Sequence, residues 1–355
     1  MSIQELLSHV IKNNASDLHL LIDIPPAMRI DGSLRYISSS KAMTKQDLET
    51  MILSLLNHEQ KEMLFANKEI DFSFTFDDGM HKNTGRFRVN IYYEKGYMSA
   101  AFRFLESNIR TIEDLHLPKI VESFSQLKHG FVLVTGPTSH GKSTTLAAII
   151  NNININRAEH ILTIEDPIEY IYPPGKSIIS QRSMGIDTHS WNAALRSALR
   201  EDPNVVLVGE MRDPETIAAA ITVAETGHLV FSTLHTNSAS QSIDRIIDSF
   251  PADQQPQIKA QLAAALKGIV SQRLIPKIEG GRIPAVEVLL GTSAVISNIR
   301  EGKTYLIDST IQTSHEVGMI SLESSLASLV KDGSISLETA KSYAIHQDYF
   351  MRIIE

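Results

Sequence analysis

Gly136-Pro137-Thr138-Ser139-His140-Gly141-Lys142-Ser143 runs from an uninterrupted apolar stretch, 131–134, into a helical segment that opens with Thr144. The spacing is GxxxxGK[ST], and a strand before it with a helix after it is the context in which that spacing has physical meaning. Successive backbone N–H groups of such a turn point inward and cradle phosphate oxygens at a helix N-terminus. Lys142 adds a point charge at the β and γ phosphates, and the Ser143 hydroxyl is placed to hold Mg²⁺. Gly136, Pro137, Thr138, Ser139, His140, Gly141, Lys142, Ser143 and Thr144 are therefore the candidate ATP-binding residues, with Ser143 also a candidate metal ligand. A Gly-rich turn with no ligand is the plain alternative, and the strand and helix on either side argue against it.

Further apolar runs at 160–164, 205–208 and 228–231 alternate with helical segments. Uninterrupted apolar strands separated by helices predict a parallel sheet buried on both faces, and so an α/β domain. The helix after the third run starts at Asp213-Pro214, a capping side chain followed by proline at the first helical position, and stops at Gly227. Such sheets present ligand-binding loops at the C-terminal ends of their strands. There the chain places Glu165-Asp166-Pro167-Ile168-Glu169 after the second run and Glu210 after the third. Phosphoryl transfer to water needs a carboxylate to orient the nucleophile and another group to hold the metal shell. Acids on adjacent strand ends beside a phosphate loop meet that need, whereas each taken singly reads as a solvated loop residue. His228 opens the fourth run and His235 lies just past it. Their spacing suits no helical metal pair and HExxH is absent, so zinc is not expected. The two imidazoles are either hydrogen-bonded structural groups or γ-phosphate sensors. Beyond Pro284 a last apolar strand leads into C-terminal helices.

The N-terminal part has a different texture. Ile3, Leu6, Leu7, Val10 and Ile11 recur at helical spacing, 17–22 reads as a short strand, and Pro25, Pro26 and Asp31-Gly32 mark turns. One helical stretch is expected over 44–64. Ile70, Phe72, Phe74 and Phe76 alternate with polar residues, as do Phe87, Val89, Ile91 and Tyr93 beyond a turn containing Gly79; 98–105 supplies another strand. A polar segment, 106–118, ends in Pro118. The reading is a small α+β domain, 1–112, followed by the α/β domain, 113–355. Arg86, Arg88 and Arg103 lie on its strands, and a strand arginine is solvated unless a phosphate comes within reach.

At roughly 150 residues per domain, 355 residues also suggest two domains. The net charge of −8 lacks the basic excess of a protein that wraps nucleic acid, which argues against a RecA-like translocase and for no nucleic-acid partner. Cysteine is absent, which removes disulfides, thiolate metal sites and cysteine nucleophiles and fits a reducing compartment. No apolar run reaches the roughly 18 residues of a membrane span, so membrane contact is expected only through a partner. The first helix carries Glu5 and reads as a packed amphipathic helix rather than a signal peptide.

Ordered boxes carry a resemblance across these domains. The phosphate loop, Thr163-Ile-Glu-Asp-Pro-Ile-Glu169, the run Leu195-Arg-Ser-Ala-Leu-Arg-Glu-Asp-Pro203 leading to Leu207-Val-Gly-Glu-Met-Arg-Asp213, and Thr226-Gly-His-Leu-Val-Phe-Ser-Thr-Leu-His235 resemble the type II/IV secretion ATPase superfamily. Within it the chain is most similar to the type IV pilus retraction ATPase (PilT/PilU) family. The likeness extends to Ala15-Ser-Asp-Leu-His-Leu20, Arg86-Phe-Arg-Val-Asn90 and 262–290, nearly the whole chain. It implies a RecA-like P-loop ATPase domain preceded by a PAS-like domain, a homohexamer, and ATP with Mg²⁺ as cofactors. Glu169 becomes the water-activating acid and Glu210 the Walker B acid and second metal ligand. His228 and His235 become the histidine box, and Arg88 and Arg103 reach the γ-phosphate. The implied place is the cytoplasm, peripheral at the inner membrane, where the ring turns a pilus platform protein and so withdraws pilin for twitching motility. A paralogous retraction ATPase is the further partner implied.

The chain leaves the family pattern in two places. Ser139-His140 stands where the family usually has Gly-Ser. Ser139 is strained wherever φ must be positive. His140 titrates near neutrality beside a polyanion, so nucleotide is expected to favour its imidazolium and to bind more tightly as pH falls. Ala294-Val-Ile-Ser-Asn-Ile-Arg-Glu301 keeps only part of the retraction signature Ala-Ile-Arg-Asn-Leu-Ile-Arg-Glu and lacks its first arginine. Two alternatives to an autonomous motor stay open: a catalytically weak, PilU-like ring subunit that binds ATP and couples to a partner motor, and the ATPase of a related secretion system.

Overall fold

A computed structural model describes residues 1–30, 33–37, 40–77, 84–105 and 109–355. The expected turns at Asp31-Gly32 and Gly79 lie outside these residues, as does the start of the polar segment at 106–108. Contacts divide the chain into two compact units: Met1–Asn108 with Pro167–Ile171, and Ile109–Asp166 with Tyr172–Glu355.

In the first unit, α1 (Ile3–Lys12) begins at a reciprocal cap: Ser2 Oγ accepts the Glu5 N–H at 3.2 Å and Glu5 Oε2 accepts the Ser2 N–H at 2.7 Å. Its apolar stripe buries Ile3, Leu6, Leu7 and Val10. β1 (Asp17–Leu20), β2 (Ala27–Ile30) and β3 (Ser33–Tyr36) precede α2 (Lys45–Ser54) and α3 (His58–Asn67). The single helix expected over 44–64 is thus two helices. The first ends at Ser54, capped by Leu55, and the second starts at Asn57, where Asn57 Oδ1 accepts the Gln60 N–H at 2.8 Å and Gln60 Oε1 accepts the Asn57 N–H at 3.0 Å. β4 (Glu69–Asp77), β5 (Thr84–Glu94) and β6 (Tyr97–Leu105) complete an antiparallel sheet of order β3-β2-β1-β6-β5-β4 among the described residues. Phe87, Val89, Ile91 and Phe102 form its core with α1 and Ile52 of α2.

The second unit opens with the short α4 (Ile120–Ser123) and then β7 (Gly130–Thr135), α5 (Lys142–Asn156), β8 (His160–Glu165), β9 (Ile178–Ser183), α6 (Trp191–Ala198), β10 (Val205–Val208), α7 (Pro214–Glu225) and β11 (Leu229–Leu234). α8 (Ala239–Asp248), α9 (Gln255–Ala265), β12 (Leu266–Pro276) and β13 (Arg282–Leu290) follow. The sheet order is β13-β12-β7-β11-β10-β8-β9 among the described residues. β7, β8, β10 and β11 are the expected apolar runs, paired parallel and buried throughout apart from half-buried His160. Phe131, Leu133, Leu162, Ile164, Val206 and Val230 belong to one continuous core. The sheet is mixed, however, rather than parallel throughout. β13 pairs antiparallel with β12, which the sequence reading did not assign, because a tight turn at Gly280-Gly281 returns the chain without a crossover helix. Edge strand β9 was also missed.

α10 (Ser293–Arg300), α11 (Ile307–Thr313), α12 (Leu322–Lys331), α13 (Leu337–Tyr343) and α14 (Gln347–Ile354) close the chain. Leu322, Leu326 and Phe350 from this group pack with Ile275 and Ile283 of the β12–β13 hairpin. Among the described residues no helix is long and apolar enough to cross a membrane.

Candidate nucleotide site

Parallel pairing brings the carboxyl ends of β7, β11, β10 and β8 to one edge of the second unit's sheet. That edge carries the loop 136–143 after β7, His235 after β11, Glu210 after β10 and Glu165 at the end of β8. Ser232 Oγ donates to Val208 O at 2.8 Å and Thr233 Oγ1 to Gly209 O at 2.6 Å, which ties the approaches to Glu210 and His235 together.

The loop uses positive φ at Gly136 (145°), Ser139 (64°) and Gly141 (83°). A Cβ at Gly136 would run into the Gln272 carbonyl, and one at Gly141 would lie 2.8 Å from Gln272 Nε2, so both glycines are required by close approach as well as by φ. Ser139 has no such licence, and the strain expected of it is present. Gly141 caps α5 without a side-chain hydrogen bond, so no capping side chain takes up the first-turn amides. We expect Ser139→Gly to stabilise the fold by up to about 1 kcal/mol, the left-handed penalty less the entropy that glycine adds to the unfolded chain. Thermal unfolding reads this directly. A lower Tm in the variant would mean that Ser139 makes contacts worth more than its strain.

Lys142 is buried, and its Nζ donates to Gly136 O and Pro137 O, both at 2.9 Å. The ammonium also lies 3.4 Å from His235 Nδ1, and Thr138 Oγ1 approaches the same nitrogen at 3.2 Å. An ammonium has no lone pair, so Nδ1 is the acceptor and the ring proton sits on Nε2. Nε2 lies 3.1 Å from Glu210 Oε1. Glu210 Oε2 accepts from Arg212 Nε at 3.0 Å and lies 2.9 Å from Nη2 of the same guanidinium. The chain of contacts Lys142–His235–Glu210–Arg212 therefore links the phosphate loop to the acid on the β10 end. Behind it, Glu165 is buried and accepts Thr163 Oγ1 at 2.7 Å.

The model of the family described as type II/IV secretion system protein matches residues 1–321. This chain belongs to that family. It is 44% identical over 344 residues to the type IV pilus retraction ATPase PilT of Pseudomonas aeruginosa, covering 97% of this chain and 98% of that one. It is 37% identical over 345 residues to the type IV pilus ATPase PilU of the same organism, with 97% and 89% covered. A crystal structure of the pilus retraction motor PilT with bound ADP superposes with a TM-score of 0.92 at 42% identity, covering 99% of each chain.

In this secretion-family chain the remaining candidates fall into different places. His228 stands at the entry end of β11, beside Gly130 rather than Thr135, about 20 Å of strand away from the loop. Its Nδ1 lies 3.1 Å from Val223 O and 3.1 Å from Thr226 Oγ1, so within this unit the structure does not bring it to the loop. Arg88 and Arg103 belong to the first unit and face each other directly across β5 and β6. Asp71 accepts Arg88 Nε at 3.0 Å and Asp17 accepts Arg103 Nε at 3.0 Å, which offsets the like charges. Glu169 is half-buried in Pro167–Ile171, the segment that groups with the first unit. Ser143 and Thr144 are half-buried in the first turn of α5.

Gln272 was not singled out, yet it is nearly fully buried under the loop. Its Nε2 donates to His140 O at 2.8 Å and its Oε1 accepts Thr145 Oγ1 at 2.7 Å. Arg212, inside the quoted third box, was also passed over. Gln272 lies within the stretch 262–290 that carries the resemblance, beside Ser271 and Arg273 on β12, so its amide did not stand out from its polar neighbours.

Proposed function

We propose that this chain is an ATP-hydrolysing motor that powers type IV pilus retraction as a homohexamer. The observation that carries the reading is the contact path from Lys142 through His235 to Glu210, in a chain matched end to end by a retraction ATPase. The loop amides and the first turn of α5 hold the β and γ phosphates. Lys142 exchanges the neutral carbonyls of Gly136 and Pro137 for phosphate oxygens, a stronger charge-assisted contact. That exchange frees His235 Nδ1, so loading of the loop is felt at Glu210. Glu169 orients the attacking water, and Arg88 and Arg103 exchange Asp71 and Asp17 for γ-phosphate oxygens as charge develops.

The Ser143 hydroxyl and the Glu210 carboxylate are hard oxygen donors of the kind Mg²⁺ takes, and the described residues contain no group of three or more His, Asp or Glu that could cage a metal unaided. That donor set fits an ion carried mainly by the nucleotide phosphates and water. When bound, Mg²⁺ neutralises charge on the β and γ phosphates. The partners in this reading are a platform protein at the inner membrane and a paralogous retraction ATPase, with the ring on the cytoplasmic face. The first unit supplies a PAS-like module.

Deleting the gene and counting surface pili tests the reading. Excess pili with lost surface motility is the expected result. Absent pili would make the chain an extension motor and overturn the proposal. The partly kept signature on α10 favours a second reading, an accessory subunit. In that case the purified ring binds ATP with little turnover, and a partner motor restores retraction when the two are present together.

A further inference from the structure

The phosphate loop is held from outside at the position where this chain is unusual. β7 pairs with β12 only as far as Thr135 opposite Ser271, where β7 ends and the loop begins. Beyond Ser271 that edge of β12 has lost its strand partner. The Leu274 N–H finds another one, His140 Nδ1, at 3.0 Å. Two further bonds flank it: Gln272 Nε2 donates to His140 O at 2.8 Å, and Arg282 Nη1 to Ser139 O at 3.4 Å. The β12–β13 hairpin thus grips the loop at Ser139-His140, next to the left-handed residue. The central contact requires an unprotonated ring nitrogen.

We propose that His140 is a proton-sensitive latch: its neutral ring fixes the loop to β12, and protonation releases the loop and weakens nucleotide binding. His140 acts here as a positioning residue, and the inference rests on the reading that this loop binds nucleotide. An imidazolium carries a proton on both nitrogens, so Nδ1 would meet the Leu274 N–H donor to donor. The charged groups facing the ring, Arg282 from β13, Lys142 from α5 and Arg273 from β12, are all cations. Burial first, and then these three charges, hold the ring below the ordinary imidazole range, which favours the latched neutral form. The sign follows: the latch is intact at neutral and alkaline pH and is lost as pH falls through the lowered value. This reverses the expectation drawn from charge alone. A polyanion does attract an imidazolium, but that attraction acts through a loop open to solvent and salt, whereas the donor clash acts at contact distance.

The test is fluorescent-nucleotide titration of the full-length protein between pH 8 and 5.5, on the wild type, His140→Asn and His140→Ala. Asparagine places Oδ1 close to the position of Nδ1 and accepts without titrating; alanine removes the acceptor. Ratios of Kd between variants cancel the nucleotide's own protonation. One hydrogen bond is worth about fivefold in affinity. The ratio of the wild-type Kd to the His140→Asn Kd should rise about fivefold between pH 8 and the acid end. His140→Ala should start about fivefold weaker than wild type, and the two should converge as pH falls, so either variant alone tests the latch. A wild-type to variant ratio that does not change with pH, or a wild type that gains on His140→Asn in acid, overturns the latch. A wild type that binds no nucleotide at pH 8 overturns the site itself.

Discussion

Lys142→Ala should abolish hydrolysis, with turnover falling roughly a hundredfold or more, the cost of removing one preorganised donor from a transition state that spreads charge over phosphoryl oxygens. The variant should still fold. Gly136, Gly141 and the grip of Gln272, Leu274 and Arg282 on the loop do not depend on the Lys142 side chain. The buried Gly136 carbonyl and the half-buried Pro137 carbonyl each lose a donor, a cost of about 1 kcal/mol or more that leaves the fold in place. Nucleotide affinity should fall far less than turnover, because the backbone amides stay in place. The deletion also cuts the contact to His235 Nδ1, so the imidazole is no longer held to one tautomer from the loop side. Phosphate release alongside nucleotide titration separates these effects. Turnover within a few-fold of wild type would remove this loop from the reaction.

Most of what positions the site was legible because of where it lies. Strands buried on both faces must be apolar throughout, so β7, β8, β10 and β11 stand out as runs, and the residues that follow them are automatically at the functional edge. β12 hid because it does two jobs. Gly268 to Ser271 is core, whereas Gln272 directs its amide to the loop and Arg273 its guanidinium to the Tyr343 carbonyl. A polar residue in a strand reads as a solvent position until its partner is known. The break between α2 and α3 was written in Asn57 and Gln60, and a continuous apolar pattern on both sides of it obscured the cap. The ion pair of Arg88 with Asp71 joins residues seventeen apart through a hairpin register that the residue types alone do not fix. His140 shows the same dependence on a distant partner. Its charge and proximity to phosphate could be read from the sequence, but the sign of its effect depends on which donor faces Nδ1, and that is a property of β12.

Glu210→Gln should bind ATP nearly as well as wild type and lose on the order of a hundredfold in turnover, as should Glu169→Gln. An amide preserves the size of either side chain while removing the charge that organises metal or water. At Glu210 the geometry sharpens the prediction. The carboxylate accepts a hydrogen bond from Arg212 Nε at Oε2, and it lies in ion-pair range of Arg212 Nη2 at Oε2 and of His235 Nε2 at Oε1. Glutamine has only one oxygen, so it keeps either Arg212 or His235 and turns an N–H toward the other donor. Whichever orientation it takes, the path from Lys142 to the β10 end is broken at its last link. The loop amides and Lys142 contribute ground-state phosphate contacts that do not pass through Glu210, which is why affinity should survive. Glu169 is the acid assigned to the attacking water, so Glu169→Gln should show its effect chiefly in turnover. Nucleotide titration with single-turnover phosphate release on both variants decides the matter. If either variant loses affinity but keeps its rate per bound ATP, that carboxylate shapes the site rather than the reaction, and the role given to it here is wrong.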